Sequence, residues 1–298
     1  MSRLAVIGLG AMGSRIARRF LSEGHKVIVW NRTRAKTEEL VDLGATAAGS
    51  PADAARHSEV VITMVPDPLA LRAVTEGRSG LLAGTRPGAT IIEMSTVGPA
   101  AVSRLGSLLP AEVGLLDAPV LGSLPEAETG SLTIFVGGPE ALVERWTPLL
   151  TALGSPVRLG ALGTGAAAKL VANSTLFGVL GVLGEALALA QGLGLSREAA
   201  FAVLATTPVA AQADRRRPSI ESGEYPLRFS LSLASKDAEL IAEAAAAGGV
   251  DLALADVQRR RLSAAERAGW GDRDYSAVLA WILRRSSPSR AAPPTGAR

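Results

Sequence analysis

The sequence predicts an α/β domain with a mainly parallel, doubly wound sheet, followed by an all-α C-terminal domain. In the first half, short runs of β-forming residues alternate with helical patterns, and this alternation is typical of βαβ units. Strand signals end near residues 163–165, after which apolar residues recur at helical spacing. Hydrophobic residues make up 48% of the chain and charged residues 20%, a balance that favours ordinary folded cores over wholesale disorder.

The individual elements follow from short apolar runs and longer helical patterns. The predicted strands are Leu4–Ile7, Val27–Trp30, Val60–Met64, Thr90–Met94, Gly114–Asp117 and Leu132–Val136. The predicted helices are Met12–Ser22, Arg34–Leu43, Leu170–Leu195, Glu239–Ala247 and Leu252–Ala268. We expect the very apolar third helix to be buried between protein surfaces. The predicted domains cover residues 1–162 and 163–285, the second beginning with a long interdomain helix, and the polar residues 286–298 form a disordered tail.

Composition excludes several kinds of chemistry. Cysteine is absent, which rules out disulfides, thiolate metal sites and a cysteine nucleophile. His25 and His57 are the only histidines, so a three-histidine zinc site is impossible and a histidine-based triad is improbable. We therefore predict no metal site. Acid–base chemistry is left to Lys, Tyr, Asp and Glu.

The charge pattern gives little support for nucleic acid or membrane as a partner. The net charge is only +3, and the triplets 215–217 and 259–261 lack interleaved aromatic residues for base stacking. We expect these arginines on solvated helix faces. Glu185 within the apolar helix argues against a membrane span, and the short N-terminal apolar run that stops at Gly8 predicts a strand instead of a signal peptide. The expected compartment is the cytoplasm.

A G-x-G-x-x-G pattern follows the first predicted strand and opens the first predicted helix. Its residues are Gly8, Leu9, Gly10, Ala11, Met12 and Gly13. In this context Gly8 permits the tight turn, Gly10 permits close approach of a pyrophosphate, and Gly13 permits helix–strand packing. The pattern predicts a Rossmann dinucleotide site, with a glycine turn without ligand as the alternative.

The end of the second predicted strand indicates which dinucleotide binds. NAD-binding units usually carry Asp or Glu there to hold the ribose 2′-hydroxyl, whereas this chain has Asn31, Arg32 and Thr33. A guanidinium suits a 2′-phosphate, so NADP(H) is the predicted cofactor; Arg32 as a plain surface residue is the alternative. The loop Val65-Pro66 after the third strand is predicted to contact the cofactor as well.

Lys169 is the candidate acid–base residue. It lies at the start of the most apolar helix, where burial would lower the pKa of an ammonium and make it a usable acid near neutral pH. Asn173 follows four residues later and shares its helix face. A lysine that extends from a helix N-terminus into solvent is the alternative, and from the residues alone the two stay open.

Four stretches occur in one order along most of the chain: Gly8–Gly13, Asp117–Ser123 with Thr129–Thr133, Gly165–Asn173, and Lys236-Asp237. As a set they resemble the β-hydroxyacid dehydrogenase family of 3-hydroxyisobutyrate dehydrogenases and tartronate, glyoxylate and succinic semialdehyde reductases, especially its NADPH-dependent glyoxylate/succinic semialdehyde branch. The resemblance implies NADP-dependent oxidation of a hydroxyl or reduction of a small carbonyl compound, in a homodimer or tetramer.

The resemblance also implies roles for individual residues. Lys169 would be the general acid–base group, and Lys236 would contact the cofactor. Thr96 would lie near both nicotinamide and substrate. The implied substrate contacts are Thr96, Gly122, Ser123, Asn173, Phe229 and Asp237.

One departure from the family pattern concerns carboxylate binding. The family usually has Ser-Gly-Gly or Ser-Gly-Ser after Asp-x-Pro-Val, and this chain has Leu121-Gly122-Ser123. Leu121 cannot donate a hydrogen bond, although the backbone N–H groups of Gly122 and Ser123 remain. A larger or less polar substrate is therefore plausible.

Two other functions are compatible with the same residues. An imine reductase or reductive aminase resembles the same family, but such enzymes usually carry Asp or Tyr where this chain has Lys169. A non-catalytic NADP-binding scaffold is the alternative of another class, and the retained lysine counts against it.

Overall fold

The computed structural model describes residues 2–286 and divides into two compact units, Met1–Ala172 and a second that begins at Asn173. The boundary lies inside a long helix, after the predicted boundary at 162/163. Ser286 ends the last helix, and the rest of the predicted tail lies outside the described residues.

The first unit is built on one sheet with helices on both faces. Its strands are β1 Arg3–Ile7, β2 Lys26–Trp30, β3 Thr46–Ala47, β4 Val60–Thr63, β5 Thr90–Glu93, β6 Gly114–Asp117, β7 Val120–Leu121, β8 Leu132–Gly137 and β9 Gly154–Gly160. Its helices are α1 Ala11–Ser22, α2 Glu38–Asp42, α3 Pro51–Arg56, α4 Pro68–Thr75, α5 Gly98–Leu108, α6 Leu124–Thr129 and α7 Glu140–Thr151. Short 3₁₀ turns cover Arg34–Thr37 and Leu81–Ala83.

The strand order is β3-β2-β1-β4-β5-β6-β8-β7, and β9 pairs with β8. The pairs from β3 to β6 are parallel, while β6 and β7 pair with β8 in antiparallel fashion. The order reverses between β1 and β4, which is the switch point of a doubly wound sheet where ligands bind beyond the carboxyl ends of the strands. The predicted fold class is thus confirmed.

Successive side chains of β1 point to opposite faces of the sheet, and both faces are covered by helices. Leu4 and Val6 join a core cluster with Phe20 of α1, whereas Ala5 and Ile7 join a second cluster on the opposite face. These four of the five β1 residues are fully buried, as expected for a parallel strand with helices on both sides. The sequence prediction missed β3, β7 and β9.

The helical unit continues from α8 Thr164–Gly192, which spans the boundary between the units. The further helices are α9 Arg197–Leu204, α10 Ala210–Ser222, α11 Leu231–Ala247, α12 Ala253–Ala265 and α13 Val278–Ser286. A π-type turn covers Glu266–Trp270 and a 3₁₀ turn covers Tyr275–Ala277. Glycines on α8 permit close helix packing, since a Cβ at Gly181 would lie 2.2 Å from Gln258 of α12.

The apolar helix α8 is half-covered within the protein. It is long and apolar enough to cross a membrane, and 44% of its most apolar window is buried. Leu180, Leu183 and Leu187 are buried, whereas Val182 and Leu189 are exposed. Glu185, which the sequence analysis singled out as costly in lipid, pairs with Arg261 of α12 at 2.5 Å.

The arginine triplets lie on the helices α10 and α12, and half of these arginines are exposed, as predicted. Arg217 pairs with Glu221 within α10, and Arg259 and Arg260 both pair with Asp256 within α12. Arg216 donates a hydrogen bond to the Tyr275 hydroxyl at 2.5 Å. Most of these cations are thus bound to neighbouring groups of the helical unit.

We expect opposite effects from two alanine substitutions on α8. A Cβ at Gly165 would lie 2.3 Å from the Phe135 carbonyl oxygen, whereas a Cβ at Gly178 would meet no atom within 4 Å. Gly165→Ala should therefore lower the free energy of unfolding by about 1–3 kcal/mol through overpacking. Gly178→Ala should raise it by about 0.5–1 kcal/mol, since alanine favours helix more than glycine does. Chemical denaturation measures both, and equal effects of the two variants would contradict the packing argument.

Candidate active site

The glycine-rich loop connects β1 to α1 at the switch point of the sheet. Gly8 has φ +96°, and a Cβ there would lie 2.3 Å from the Met64 carbonyl oxygen. A Cβ at Gly13 would lie 2.0 Å from the Gly8 oxygen, while one at Gly10 would meet no atom within 4 Å. Gly8 and Gly13 are therefore required by the fold itself, and Gly10 keeps the loop backbone open to a ligand.

The start of α1 is suited to an anion. Gly10 is the extended N-cap residue, and the first helical hydrogen bond runs from the Ser14 N–H to the Gly10 oxygen at 3.0 Å. Ala11 and Met12 therefore present N–H groups of the first turn, where the helix dipole is positive. No acidic side chain lies in that turn. This geometry fits the diphosphate of a dinucleotide.

Asn31 connects the glycine loop to the end of β2. Its side-chain oxygen accepts the Leu9 N–H at 3.0 Å, and its amide nitrogen donates to the Thr33 oxygen at 3.0 Å. Arg32 and Thr33 are exposed beside it. The structure thus brings Asn31 to the glycine loop, which its side chain holds through a direct hydrogen bond.

A buried carboxylate organises the neighbouring strand ends. Glu93, at the end of β5 and 1% exposed, accepts hydrogen bonds from the Ser95 N–H at 2.8 Å and the Thr63 hydroxyl at 3.2 Å. The Ser95 hydroxyl in turn accepts the Val65 N–H at 2.8 Å. The network fixes the start of the Val65-Pro66 loop and the segment that leads to Thr96, which is half-buried.

Asp117 anchors the helix that carries Lys169. This carboxylate is fully buried at the end of β6 and accepts the N–H groups of Gly163 and Ala166 at 2.8 and 2.7 Å. It thereby satisfies donors at the start of α8 that have no intrahelical partner. Lys169 lies three residues after Ala166, one helical turn further on, and is half-buried.

Within the segment Leu121–Ser123, the backbone N–H of Ser123 has a partner inside the protein. Gly122 has φ +135°, and a Cβ there would lie 3.1 Å from the Glu126 Cβ. The Glu126 carboxylate accepts the Ser123 N–H at 2.7 Å, as part of a capping box that also pairs the Ser123 side chain with the backbone of Glu126. The Ser123 N–H, which we expected to bind substrate, is therefore already bonded within the protein.

In the helical unit, Asn173 and Asp237 form a buried pair. The Asn173 amide donates to Asp237 at 2.7 Å, and the two residues are 2% and 1% exposed. Lys236 lies 2.5 Å from the other Asp237 oxygen. The resemblance assigned substrate contacts to Asn173 and Asp237 and a cofactor contact to Lys236. The structure brings these three residues of α8 and α11 into direct contact.

Phe229 is fixed by an aromatic neighbour. Its ring meets the Tyr275 ring edge-on at 5.3 Å, and its carbonyl oxygen accepts the Tyr275 N–H at 2.8 Å. The Arg216 guanidinium lies 5.2 Å from the centroid of the Tyr275 ring and donates a hydrogen bond to the Tyr275 hydroxyl. Burial, the largest cause, raises the pKa of Tyr275, and the nearby Arg216 guanidinium opposes that shift.

Comparisons with known proteins agree with this architecture. Residues 3–163 match the family model for the NAD binding domain of 6-phosphogluconate dehydrogenase. Residues 163–282 match the model for NAD-binding of NADP-dependent 3-hydroxyisobutyrate dehydrogenase. The chain belongs to the β-hydroxyacid dehydrogenase family.

Two curated relatives match along nearly their whole length. This chain is 34% identical to 3-sulfolactaldehyde reductase of Escherichia coli, covering 94% of this chain and 95% of the relative. It is 33% identical to glyoxylate/succinic semialdehyde reductase 1 of Arabidopsis thaliana, covering 92% and 96%. The structure of Mycobacterium tuberculosis 3-hydroxyisobutyrate dehydrogenase with L-serine superposes with a TM-score of 0.86 at 28% identity, covering 95% and 99%.

Sequence reasoning missed three acidic residues that shape the first unit. Glu93 was visible as a charge within an apolar strand, and Asp117 as the acid that ends another. Glu126 was visible as the fourth residue of Ser-x-x-Glu before Ala127, which is the pattern of a capping box. Each of these carboxylates accepts at least one hydrogen bond from a backbone N–H group.

We expect both tyrosines to ionise late in the folded protein. Burial raises the pKa of Tyr225 and of Tyr275 above the ordinary value of 10.0, and the chain has no other tyrosine. The neutral phenols therefore stabilise the folded state below pH 10, and this contribution is lost as pH rises through the folded pKa values. Tyrosinate absorbance of the folded protein at pH 10 should stay well below that of the denatured protein. Equal absorbance would contradict the burial of these rings.

Proposed function

We propose that this protein is an NADPH-dependent reductase of a small aldehyde or keto compound, with Lys169 as the proton donor. The observation that carries the proposal is the position of Lys169, one turn beyond the start of α8 that Asp117 anchors. The relatives support the reaction type, since their names describe reduction of sulfolactaldehyde, glyoxylate and succinic semialdehyde.

The chemistry required of the chain is proton transfer and orientation. When bound, a reduced nicotinamide supplies the hydride for the carbonyl carbon. The Lys169 ammonium gives its proton to the carbonyl oxygen, and in the reverse direction the neutral amine removes the hydroxyl proton. A half-buried lysine suits this role, because the helix turn that carries it is held in place by the two hydrogen bonds to Asp117.

The remaining contacts are part of the same proposal. Thr96, Gly122, Asn173, Phe229 and Asp237 would contact substrate, and Lys236 would contact the cofactor. Asn173 would act partly through Asp237, whose carboxylate it holds at 2.7 Å.

Preference for NADPH over NADH rests on the end of β2. Arg32 is exposed two residues after Trp30, whose carbonyl oxygen accepts the Gly8 N–H at 2.9 Å. A guanidinium beside the glycine loop can bind the 2′-phosphate through two parallel hydrogen bonds. The chain has no acid among residues 31–33 that would repel this phosphate.

We also propose a homodimer or tetramer in the cytoplasm. Support for assembly comes from exposed apolar side chains of the helical unit, which include Val182, Leu189 and Leu254. Size-exclusion chromatography with light scattering measures the subunit number.

Consumption of NADPH and NADH across aldehydes, keto acids and cyclic imines tests the proposal as a whole. We expect turnover with aldehydes and a preference for NADPH. Turnover confined to imines would favour an imine reductase. Tight NADPH binding without turnover on any carbonyl compound would favour a non-catalytic scaffold.

Replacement of Lys169 should abolish most of the activity. Because general acid catalysis contributes about 10²–10⁴-fold, Lys169→Ala should lower kcat by that factor while the Kd for NADPH changes little. Stopped-flow turnover and fluorescence titration measure the two quantities. Lys26→Ala, at an exposed lysine that begins β2, is the matched control and should keep full kcat. A Lys169→Ala variant with normal turnover would refute the assigned role.

Replacement of Arg32 should reduce the preference for NADPH. A hydrogen bond to a charged group contributes about 1.5–3 kcal/mol, so Arg32→Ala should raise the KM for NADPH about tenfold or more and leave the KM for NADH nearly unchanged. Arg56→Ala, at the exposed end of α3, is the control. An equal rise in both KM values would point to a damaged loop instead of a lost phosphate contact.

A further inference from the structure

A cleft on the first unit is lined by the amino ends of β1 and β2, by β3, and by α3 with its C-cap residue. Its volume is about 490 Å³, which is within the range of cavities that hold small molecules. Arg3 begins β1 and Gly8 follows the other end of that strand, so these two residues are about 16 Å apart at the rise of a parallel strand. The cleft is therefore separate from the glycine loop.

Strand register turns several side chains of the cleft to one face of the sheet. Arg3 pairs with Lys26 in the parallel ladder of β1 and β2, and Ile28 pairs with Thr46 in that of β2 and β3. Residues paired in register point to the same side, and side chains alternate along a strand, so all four share one face. The core cluster on that face contains Ala54 of α3, so this helix packs beside the cleft.

Arg3 and Lys26, which we call the cation pair, lie side by side without an acidic partner. Like charges directly opposite each other on neighbouring strands destabilise a sheet. In the part of the chain that the structure describes, neither side chain forms an ion pair. Glu59 lies next to Arg3 along the sheet, but it contacts Arg3 through the backbone, where its N–H donates to the Arg3 oxygen at 2.9 Å. An anion bound here would relieve the repulsion within the cation pair.

Asp53 brings a carboxylate to the cleft, and both of its oxygens are engaged. One oxygen accepts the Gly49 N–H at 2.9 Å, and the other lies 3.5 Å from the His57 Nδ1. The cation pair against this one carboxylate leaves the described lining with a formal charge of +1 when the histidines are neutral. The cleft is thus positive even though it contains an acid.

Both histidines of the chain line this cleft. The His25 Nδ1 accepts the Ser2 N–H at 3.3 Å. Burial, the largest cause, lowers the pKa of His25, and the Glu23 carboxylate opposes that shift while it pairs with Arg19 at 2.8 Å. Near pH 7 the His25 ring is therefore neutral and carries its proton on Nε2, as a donor. Guanidinium, ammonium, hydroxyl and imidazole groups thus line one cleft.

We propose that this cleft binds the phosphate group of a small molecule, at a site separate from that of the nicotinamide dinucleotide. A phosphate monoester offers three strong acceptor oxygens, which suits a guanidinium, an ammonium and a hydroxyl that approach from neighbouring strands. The apolar side chains of Ile28, Ala47 and Ala48 line the same cleft and suit the carbon atoms of such a molecule. The ligand class is therefore a small phosphorylated compound.

The two histidines allow binding to be followed at the site itself. The full-length protein is first saturated with its nicotinamide dinucleotide, so that the glycine loop is occupied. Inorganic phosphate is then titrated at constant ionic strength, and the ring signals of His25 and His57 are recorded by NMR. We expect both signals to shift along one saturable curve. Two unmoved signals, or equal shifts with chloride in place of phosphate, would overturn the inference.

Replacement of the cation pair tests which groups hold the phosphate. Arg3→Gln and Lys26→Gln should each weaken phosphate binding about tenfold or more, because each removes a hydrogen bond between charged groups. The double variant should show no saturable shift. In phosphate-free buffer all of these variants should keep the kcat of the wild type, since the cleft is remote from the glycine loop.

Arg86→Gln is the matched control. It removes the same charge from an exposed arginine four residues before β5, at the same edge of the sheet but outside the described lining of the cleft, and should bind phosphate as the wild type does. Equal weakening by Arg86→Gln would indicate a general charge effect and overturn the inference. So would a saturable shift that persists in the folded double variant.

Thermal unfolding gives an independent measurement. A ligand that binds only the folded state raises the Tm, so phosphate should raise the Tm of the wild type and of Arg86→Gln but not that of the double variant. The wild-type titration can overturn the inference by itself, even where a variant does not fold. Neither measurement requires turnover, so failure of the proposed reductase function and failure of this site are distinguishable.

Discussion

The two hydrogen bonds that the Asp117 carboxylate accepts determine where α8 begins. Their donors lie 46 and 49 residues further along the chain, so this one buried side chain joins the end of β6 to the first turn of a 29-residue helix. An unpaired buried N–H group costs about 1–3 kcal/mol, which makes a shift of the helix start unfavourable. Glycine at 165 supports the same contact, because it lets the helix backbone approach the sheet directly.

The N-termini of α1 and α6 differ in how the positive end of the helix dipole is used. The first turn of α1 contains no acidic residue, and a Cβ at its N-cap residue Gly10 would meet no atom within 4 Å. The first turn of α6 contains Glu126, which bonds back to the N-cap residue. The same positive end of a helix dipole is thus left for a ligand in one case and neutralised within the protein in the other.

Local patterns were sufficient for most of the architecture. The apolar runs and the glycine spacing near residues 8–13 predicted α1 and the strands β1, β2, β4, β5 and β6 to within one or two residues, because burial on both faces leaves a continuous apolar signal. The strand Gly154–Gly160 was missed because it contains Pro156 and Arg158 and is largely exposed. Arg34–Leu43 was predicted as one helix, and the structure has a 3₁₀ turn followed by the short α2.

The site was predictable where its residues act through local sequence. The glycine loop and Asn31 were identified because they follow the first and second predicted strands, and the structure joins them at 3.0 Å. The role of Asp117 depends on partners far away in sequence, and that of Tyr275 depends on Arg216, 59 residues earlier. No periodicity encodes such pairs, because they form only after strands and helices have packed together.

The amide of Asn31 has a consequence for exchange between the two nicotinamide dinucleotides. Its oxygen accepts the Leu9 N–H and its nitrogen donates to the Thr33 carbonyl. Aspartate, the usual partner of an unphosphorylated ribose, could keep the first of these bonds, but its second oxygen would face the Thr33 oxygen without a proton between them. A lineage that switched dinucleotide would therefore have to rebuild the turn after β2 together with the side chain that reads the ribose.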